Sequence, residues 1–264
     1  MLLGSANAHD TWFASRGQRA SGDQFMTLGT GNVFPVFDSP VGAEHLQRHG
    51  CREAGQALAL RPVAQGSTSL ILRTRNGGKA TLSCWVQLQP SEIDLPLALV
   101  PVYFAEAQPP AAVLEAWAAM SARGLPWKER YTKHARIVFS GAAADAADPT
   151  GAAHAEPGDM GMDMVLLNGQ AAVRAGDTVD VQVLRDARPL ADFAVELRHT
   201  VIGSASSTGQ WHRTDKQGRV RLAVPAAGQW LLRGIDIRQS GSVADSWDTR
   251  FVTLAFDVGG PAAR

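Results

Sequence analysis

The chain has 264 residues, room for two domains of about a hundred each, and its 25 basic and 25 acidic side chains leave a formal net charge of zero. That balance offers no basic field to hold a phosphate backbone, so a nucleic-acid partner is not expected. No apolar run approaches the roughly 18 residues of a membrane-spanning helix, even around Leu95 to Phe104, so no span is expected in the mature chain.

The first element in chain order is a processing signal rather than a fold. "MLLGSANAHDTWF" places Ala6-Asn7-Ala8, a small-x-small cleavage pattern, directly before His9 and the first aromatic residues. Residues 1–8 read as the remnant of a signal peptide whose apolar part is reduced to Leu2 and Leu3, which predicts export, with a disordered cytosolic N-terminus as the alternative reading. Cleavage after Ala8 would give His9 a free α-amine beside its imidazole. Export would also let Cys51 and Cys84 oxidise, closing a loop of about 34 residues, with two buried free thiols as the alternative reading. The two share no C-x-x-C spacing, which speaks against a zinc ribbon or a thioredoxin-type motif.

Residues 9–105 read as an antiparallel β domain. "FMTLGTGNVFPVF" and "LALVPVYF" have strand character, and Asn76-Gly77-Gly78 predicts a hairpin pairing strands near 67–75 and 79–89, because those residues accept positive φ. A helical connector is expected over 106–140. Its first part, "AAVLEAWAAMSARG", sets Val113, Leu114, Trp117 and Met120 on one helical face and stops at Gly124. Its second, "PWKERYTKHARIVF", opens with a first-turn proline, runs helically through Tyr131 and His134, and ends in a β-like apolar stretch. Residues 141–161 lack large apolar side chains over most of their length and read as a flexible loop that contains His154.

From Met162 the strand signal returns in "MDMVLL", "DTVDVQVLRD", "FAVELRHTVIG", "GRVRLAVPA", "GQWLLRGIDIR" and "RFVTLAFDV", with a turn at "TDKQGR". Six or seven short strands over 162–258 are the arithmetic of an Ig-like sandwich, followed by a tail at 259–264. The fold class is therefore all-β: two β-sandwich-like domains, the C-terminal one Ig-like, joined by a short helical segment.

Three stretches carry a resemblance. "AHDTWF" after a leader resembles the "AHDFW" opening of the DUF4198 group of exported bacterial proteins, "ERYTKHAR" is similar to that group's helical "RYSRYAK" stretch, and the run from "AGDTVDVQVLRD" to "WDTRFVTLAFDV" is similar to its C-terminal module. The group is related to extracytoplasmic components of nickel and cobalt uptake. The resemblance implies a periplasmic protein that handles a divalent transition metal and ends in an Ig-like module.

Ligands for such a metal can be sought in the residues. A processed His9 offers an amine and a ring nitrogen to one ion, a donor set suited to Ni(II), Co(II) and Cu(II). The second donor must come from the fold, and His134 is the first candidate, although tyrosine often stands there in the family. His199 is next; it alternates with Val195, Leu197 and Val201 on one strand face, a pattern that ordinarily marks core. His212 beside Trp211 reads as exposed, and His45 and His49, four apart, read as part of a polar loop unless a helix stacks them. Met160, Met162 and Met164 invite Cu(I) or simply pack. Asp236, Asp245 and Asp248 are expected to pair with Arg233, Arg238 or Arg250.

No G-x-S-x-G elbow, phosphate loop, dinucleotide fingerprint or H-E-x-x-H is present, so an enzyme is not expected. The leading expectation is a periplasmic metal-binding accessory of nickel or cobalt uptake, with a membrane permease or an outer-membrane receptor as partner. A metal-free interaction module, suggested by the Ig-like half and the seven tryptophans, and a copper oxygenase built on a histidine brace are the alternatives.

Overall fold

A computed structural model describes residues 9–18, 22–75, 81–139, 156–167, 173–200 and 208–260. The strands in chain order are β1 Asp10–Gln18, β2 Asp23–Gly31, β3 Ser39–Pro40, β4 Leu46–Glu53, β5 Gln56–Leu58, β6 Arg61–Gln65, β7 Leu70–Arg75, β8 Leu82–Leu88 and β9 Ser91–Leu95. Two helices follow, α1 Val100–Ala107 and α2 Ala111–Ala122, then β10 Trp127–Phe139. The C-terminal strands are β11 Met162–Leu166, β12 Asp177–Arg185, β13 Arg188–Pro189, β14 Ala194–Thr200, β15 Thr208–Arg213, β16 Arg219–Val224, β17 Gly228–Gln239 and β18 Trp247–Val258. The fold is all-β and sandwich-like, as the alternating runs implied.

The halves share one sheet. Nine strands run in the order β15-β14-β17-β18-β10-β8-β4-β5, with β9 also on β10, so strands from both ends of the chain meet at β10. The β10-β18 pair is parallel, and β10 pairs antiparallel with β8. Alternation along β10 sends its residues to opposite faces. Ala135 and Ile137 join Trp12, Phe13, Met26, Leu28 and Leu72 beneath the five-stranded sheet of β1, β2, β3, β6 and β7. Val138 joins Met162, Met164, Val181 and Leu222 beneath the four-stranded sheet of β11, β12, β13 and β16. Helices α1 and α2 cover the remainder of the first face, where Trp127 stacks on Trp247 at 4.6 Å and meets Trp117 edge-on at 5.2 Å.

Several expectations are corrected here. Residues 127–139 form a strand, not a helix. Their period of two is masked by polar residues that are nonetheless buried: Arg136 donates from Nε to Asp163 at 2.8 Å, with both side chains sealed in the interior. "LALVPVYF" contributes α1 rather than a strand, ending where Gln108 turns left-handed at φ 46° ahead of two prolines; a short apolar run carries no period by which to tell the two apart. The hairpin at Asn76-Gly77-Gly78 does not form a paired unit, since β7 pairs with β2 and β6 while β8 pairs with β4 and β10; the turn itself lies outside the described residues. β8 is buried on both faces and belongs in the middle of the shared sheet, a place β7, with Arg73 and Arg75 exposed, could not take.

Helix α2 forms where expected, yet only Val113 and Met120 of its apolar face are buried, and Leu114 is exposed. Most of the segment read as a flexible loop, including His154, lies outside the described residues. Its last part is packed: Gly158 crosses so close over Trp85 that a β-carbon there would sit 2.7 Å from the ring, and Glu156 pairs with Arg52 at 2.6 Å. His45 falls in a 3-10 turn, Ala43–His45, and His49 in β4, so no helix stacks them and "AEHLQRHG" is not simply a loop. Cys51 and Cys84 face each other across β4 and β8 and form a disulfide.

Candidate functional site

The three histidines singled out from the sequence occupy three different environments. His9 precedes β1 and is half-buried; its Nε2 meets the side-chain amide of Asn32 at 2.9 Å. His134 is buried on β10, with Nδ1 donating to the Phe251 carbonyl at 2.9 Å. His199 stacks on Trp230 with ring centroids 4.4 Å apart and donates from Nε2 to the Ala227 carbonyl at 3.2 Å.

These positions do not converge. His134 lies on the Val138 face of the shared sheet, whereas β1, the strand that His9 precedes, packs on the opposite face. His199 shares the face of His134, but the registers His134↔Val252, Trp230↔Phe256 and His199↔Trp230 separate the two by three strands and four residues, about 20 Å. Burial, with the nearby Arg250 and Arg185 adding to it, pushes the His134 pKa down to about 4, so the ring is neutral at ordinary pH. A neutral imidazole could ligate in principle, but the Arg250 guanidinium and the sealed interior beside it disfavour a cation there. Among the described residues no three His, Cys, Asp or Glu side chains are grouped as a metal would require.

What surrounds His9 is better organised than its sequence suggests. Asp10 is buried and pairs with Arg233 of β17, whose Nη1 also reaches Glu196 of β14 at 2.9 Å and the Glu106 carbonyl of α1 at 3.2 Å. Thr253 of β18 donates to the Thr11 carbonyl at 2.7 Å. The start of β1 is thereby fixed to the shared sheet by one charge cluster and one hydrogen bond. Asn32, one residue past β2, donates its backbone N–H to Asp38 at 2.9 Å and receives Arg198 on its carbonyl at 3.5 Å, which fixes the backbone from which its amide reaches His9. Among the described residues the Asn32 side-chain oxygen is buried without a partner, as is Asp10 Oδ1.

Neither Asp10 nor Asn32 was a candidate from sequence. Asp10 sits inside the "AHDTWF" opening and so was in view, but its partner Arg233 is 223 positions away. Asp236 pairs with Arg238 at 3.0 Å, one of the arginines expected for it, and also with Arg185, while Arg233 serves Asp10 and Glu196. Asp245 pairs with Arg123 at 2.7 Å, and Arg250 reaches Asp186. The methionines pack, Met162 and Met164 being wholly buried.

The fold and this N-terminal cluster define an all-β sandwich protein in which a half-buried histidine directly precedes β1. No helix among the described residues is long and apolar enough to cross a membrane. The chain belongs to the DUF4198 family, a domain of unknown function whose model matches residues 6–235. No curated protein matches it.

Proposed function

We propose that the protein is exported to the periplasm and there binds a divalent transition metal, Ni(II) or Co(II) with Cu(II) as a further possibility, as an accessory of metal uptake. In this reading cleavage after Ala8 frees the His9 α-amine, and the amine and Nδ1 close a chelate ring on one ion. The ion is cargo, and the membrane partner that takes it is a permease or an outer-membrane receptor.

The observation that carries the proposal is the contact of His9 Nε2 with Asn32. An amide can present either its oxygen or its NH2 to the ring. Turning the Asn32 amide over makes its oxygen accept from Nε2–H, which moves the proton off Nδ1 and leaves that nitrogen's lone pair for a metal. A two-nitrogen chelate at a half-exposed strand end, completed by water, holds its ion exchangeably, as delivery requires.

Titration of protein beginning at His9 with Ni(II), Co(II) and Cu(II), beside a form with one extra glycine before His9, tests this. One ion should bind the first form and at least tenfold more weakly the second; Asn32→Ala should cost about 10- to 100-fold. Equal binding by both forms, or none by either, would overturn the proposal, as would mass spectrometry showing an exported chain that does not start at His9. Oxygen reduction by the copper form would point instead to the histidine-brace oxygenase.

A further inference from the structure

Lysine is scarce in this chain, with only Lys79, Lys128, Lys133 and Lys216 among 25 basic residues. The cations deepest in the fold are arginines, and each has a carboxylate: Arg136 has Asp163, Arg233 has Asp10 and Glu196, and Arg185 has Asp236. Lys133 is different. It stands on β10, partly buried, with its ammonium 5.7 Å from the ring centroid of Tyr131 and 5.8 Å from that of Phe251. Among the described residues no carboxylate lies within ion-pair distance of it.

A cavity of about 160 Å³ opens beside this amine. Its walls include Thr30, Val41, His45, Ser91 and Tyr131, and among the described residues none that lines it is acidic. The charged and titratable groups around Lys133 and its cavity include Asp10 from β1, His45 from the turn before β4, the Glu44 carboxylate 3.6 Å from His45 Nε2, and Tyr131 on its own strand, while β18 contributes the uncharged Phe251. Burial pushes the Lys133 pKa down to about 8, with the Asp10 charge acting in the other direction. A cation that has given up water and has only ring faces beside it, with no anion paired to it, is an unfinished interaction. A guanidinium would have to stay charged there, whereas an amine can release its proton and take it back when an anion arrives.

We propose that this cavity binds a small monocarboxylate, with Lys133 as its counter-ion, the His45 imidazole and Ser91 hydroxyl as further donors, and Val41 and Leu88 against its apolar end. One fixed positive charge suits one carboxylate, and the apolar part of the wall favours an organic acid over an inorganic dianion. The site is independent of the metal chelate. Binding stabilises the ammonium, so the ligand raises the amine's titration midpoint, and affinity falls as pH rises through that midpoint.

Lysine labelled with ¹³C at Cε gives four resonances to follow with pH, in chloride and in acetate at equal ionic strength. The signal missing from Lys133→Met should titrate near 8 in chloride and about one unit higher in acetate, a roughly tenfold gain in proton affinity, while the other three stay put. Val41→Phe, which fills the cavity and leaves the amine, should abolish the acetate effect. No shift, an equal shift at all four lysines, or a shift that survives Val41→Phe would overturn the proposal. The wild-type and Val41→Phe spectra decide the matter even if Lys133→Met does not fold, because the interior lysine is then recognised by its midpoint near 8.

Discussion

His134 shows how far a residue type can be read and where the reading stops. A histidine in "RYTKHAR" is visible as a metal candidate, but nothing in the string says that the strand beneath it is covered on both faces. Its folded pKa, about 4, lies below the ordinary value of 6.5. The unfolded chain therefore takes up the proton first. The stability that a neutral His134 protects is complete above about pH 6.5 and drains away as pH falls toward 4, an effect of about 3 kcal/mol. Urea unfolding of the wild type and His134→Gln at pH 7, 5.5 and 4 should show the wild type losing that much more stability than the variant across the interval. Parallel losses would mean that the imidazole is not held neutral. His9 is the contrasting case, because its candidacy came from a cleavage pattern and its hydrogen-bond partner Asn32 from the fold alone.

At the scale of elements, legibility followed the chemistry that fills each strand. Of the C-terminal strands β12, β14 and β16 alternate apolar with polar, β11, β17 and β18 are largely apolar runs, and each of the six coincides with a run picked out from the string. β10 was missed because Glu129 and Arg136 are buried in it with partners, Glu129 accepting from Tyr103 at 3.0 Å and from Trp127 at 2.7 Å. Sequence alone displays charge and cannot display its neutralisation by residues far along the chain. The cysteines lie between these extremes: their separation bounded the loop, and the register of β4 on β8 supplied the pairing. That bond ties two strands of the shared sheet across 33 positions, and losing it should cost about 3–4 kcal/mol, mainly by freeing the unfolded chain. Cys51→Ala with Cys84→Ala, compared with oxidised wild type by denaturant unfolding, measures it. A change under about 1 kcal/mol would show that the unfolded chain is confined by something other than the crosslink.

Chain length and the pattern of strand runs suggest two β units in sequence, and the register of β10 makes them two layers on one sheet. β8 belongs to the N-terminal half and β18 to the C-terminal half, yet both pair with β10, and the β1 end is clamped by Asp10 to Arg233 of β17. Removing either half strips β10 of a neighbour and exposes the apolar underside of the other. A fragment of residues 9–105 would carry β8 with one edge unpaired and Leu82, Val86 and Leu88 without the Ala135 and Ile137 that complete their cluster. Such an edge invites pairing with other copies. The intact chain should therefore melt in a single calorimetric transition, with calorimetric and van't Hoff enthalpies agreeing despite a length at which separate domain transitions are common. The 9–105 fragment should be unfolded or aggregated. Two resolved transitions, or a fragment that is monomeric with dispersed amide resonances and a melting transition of its own, would mean that the shared sheet joins two units without coupling their stability.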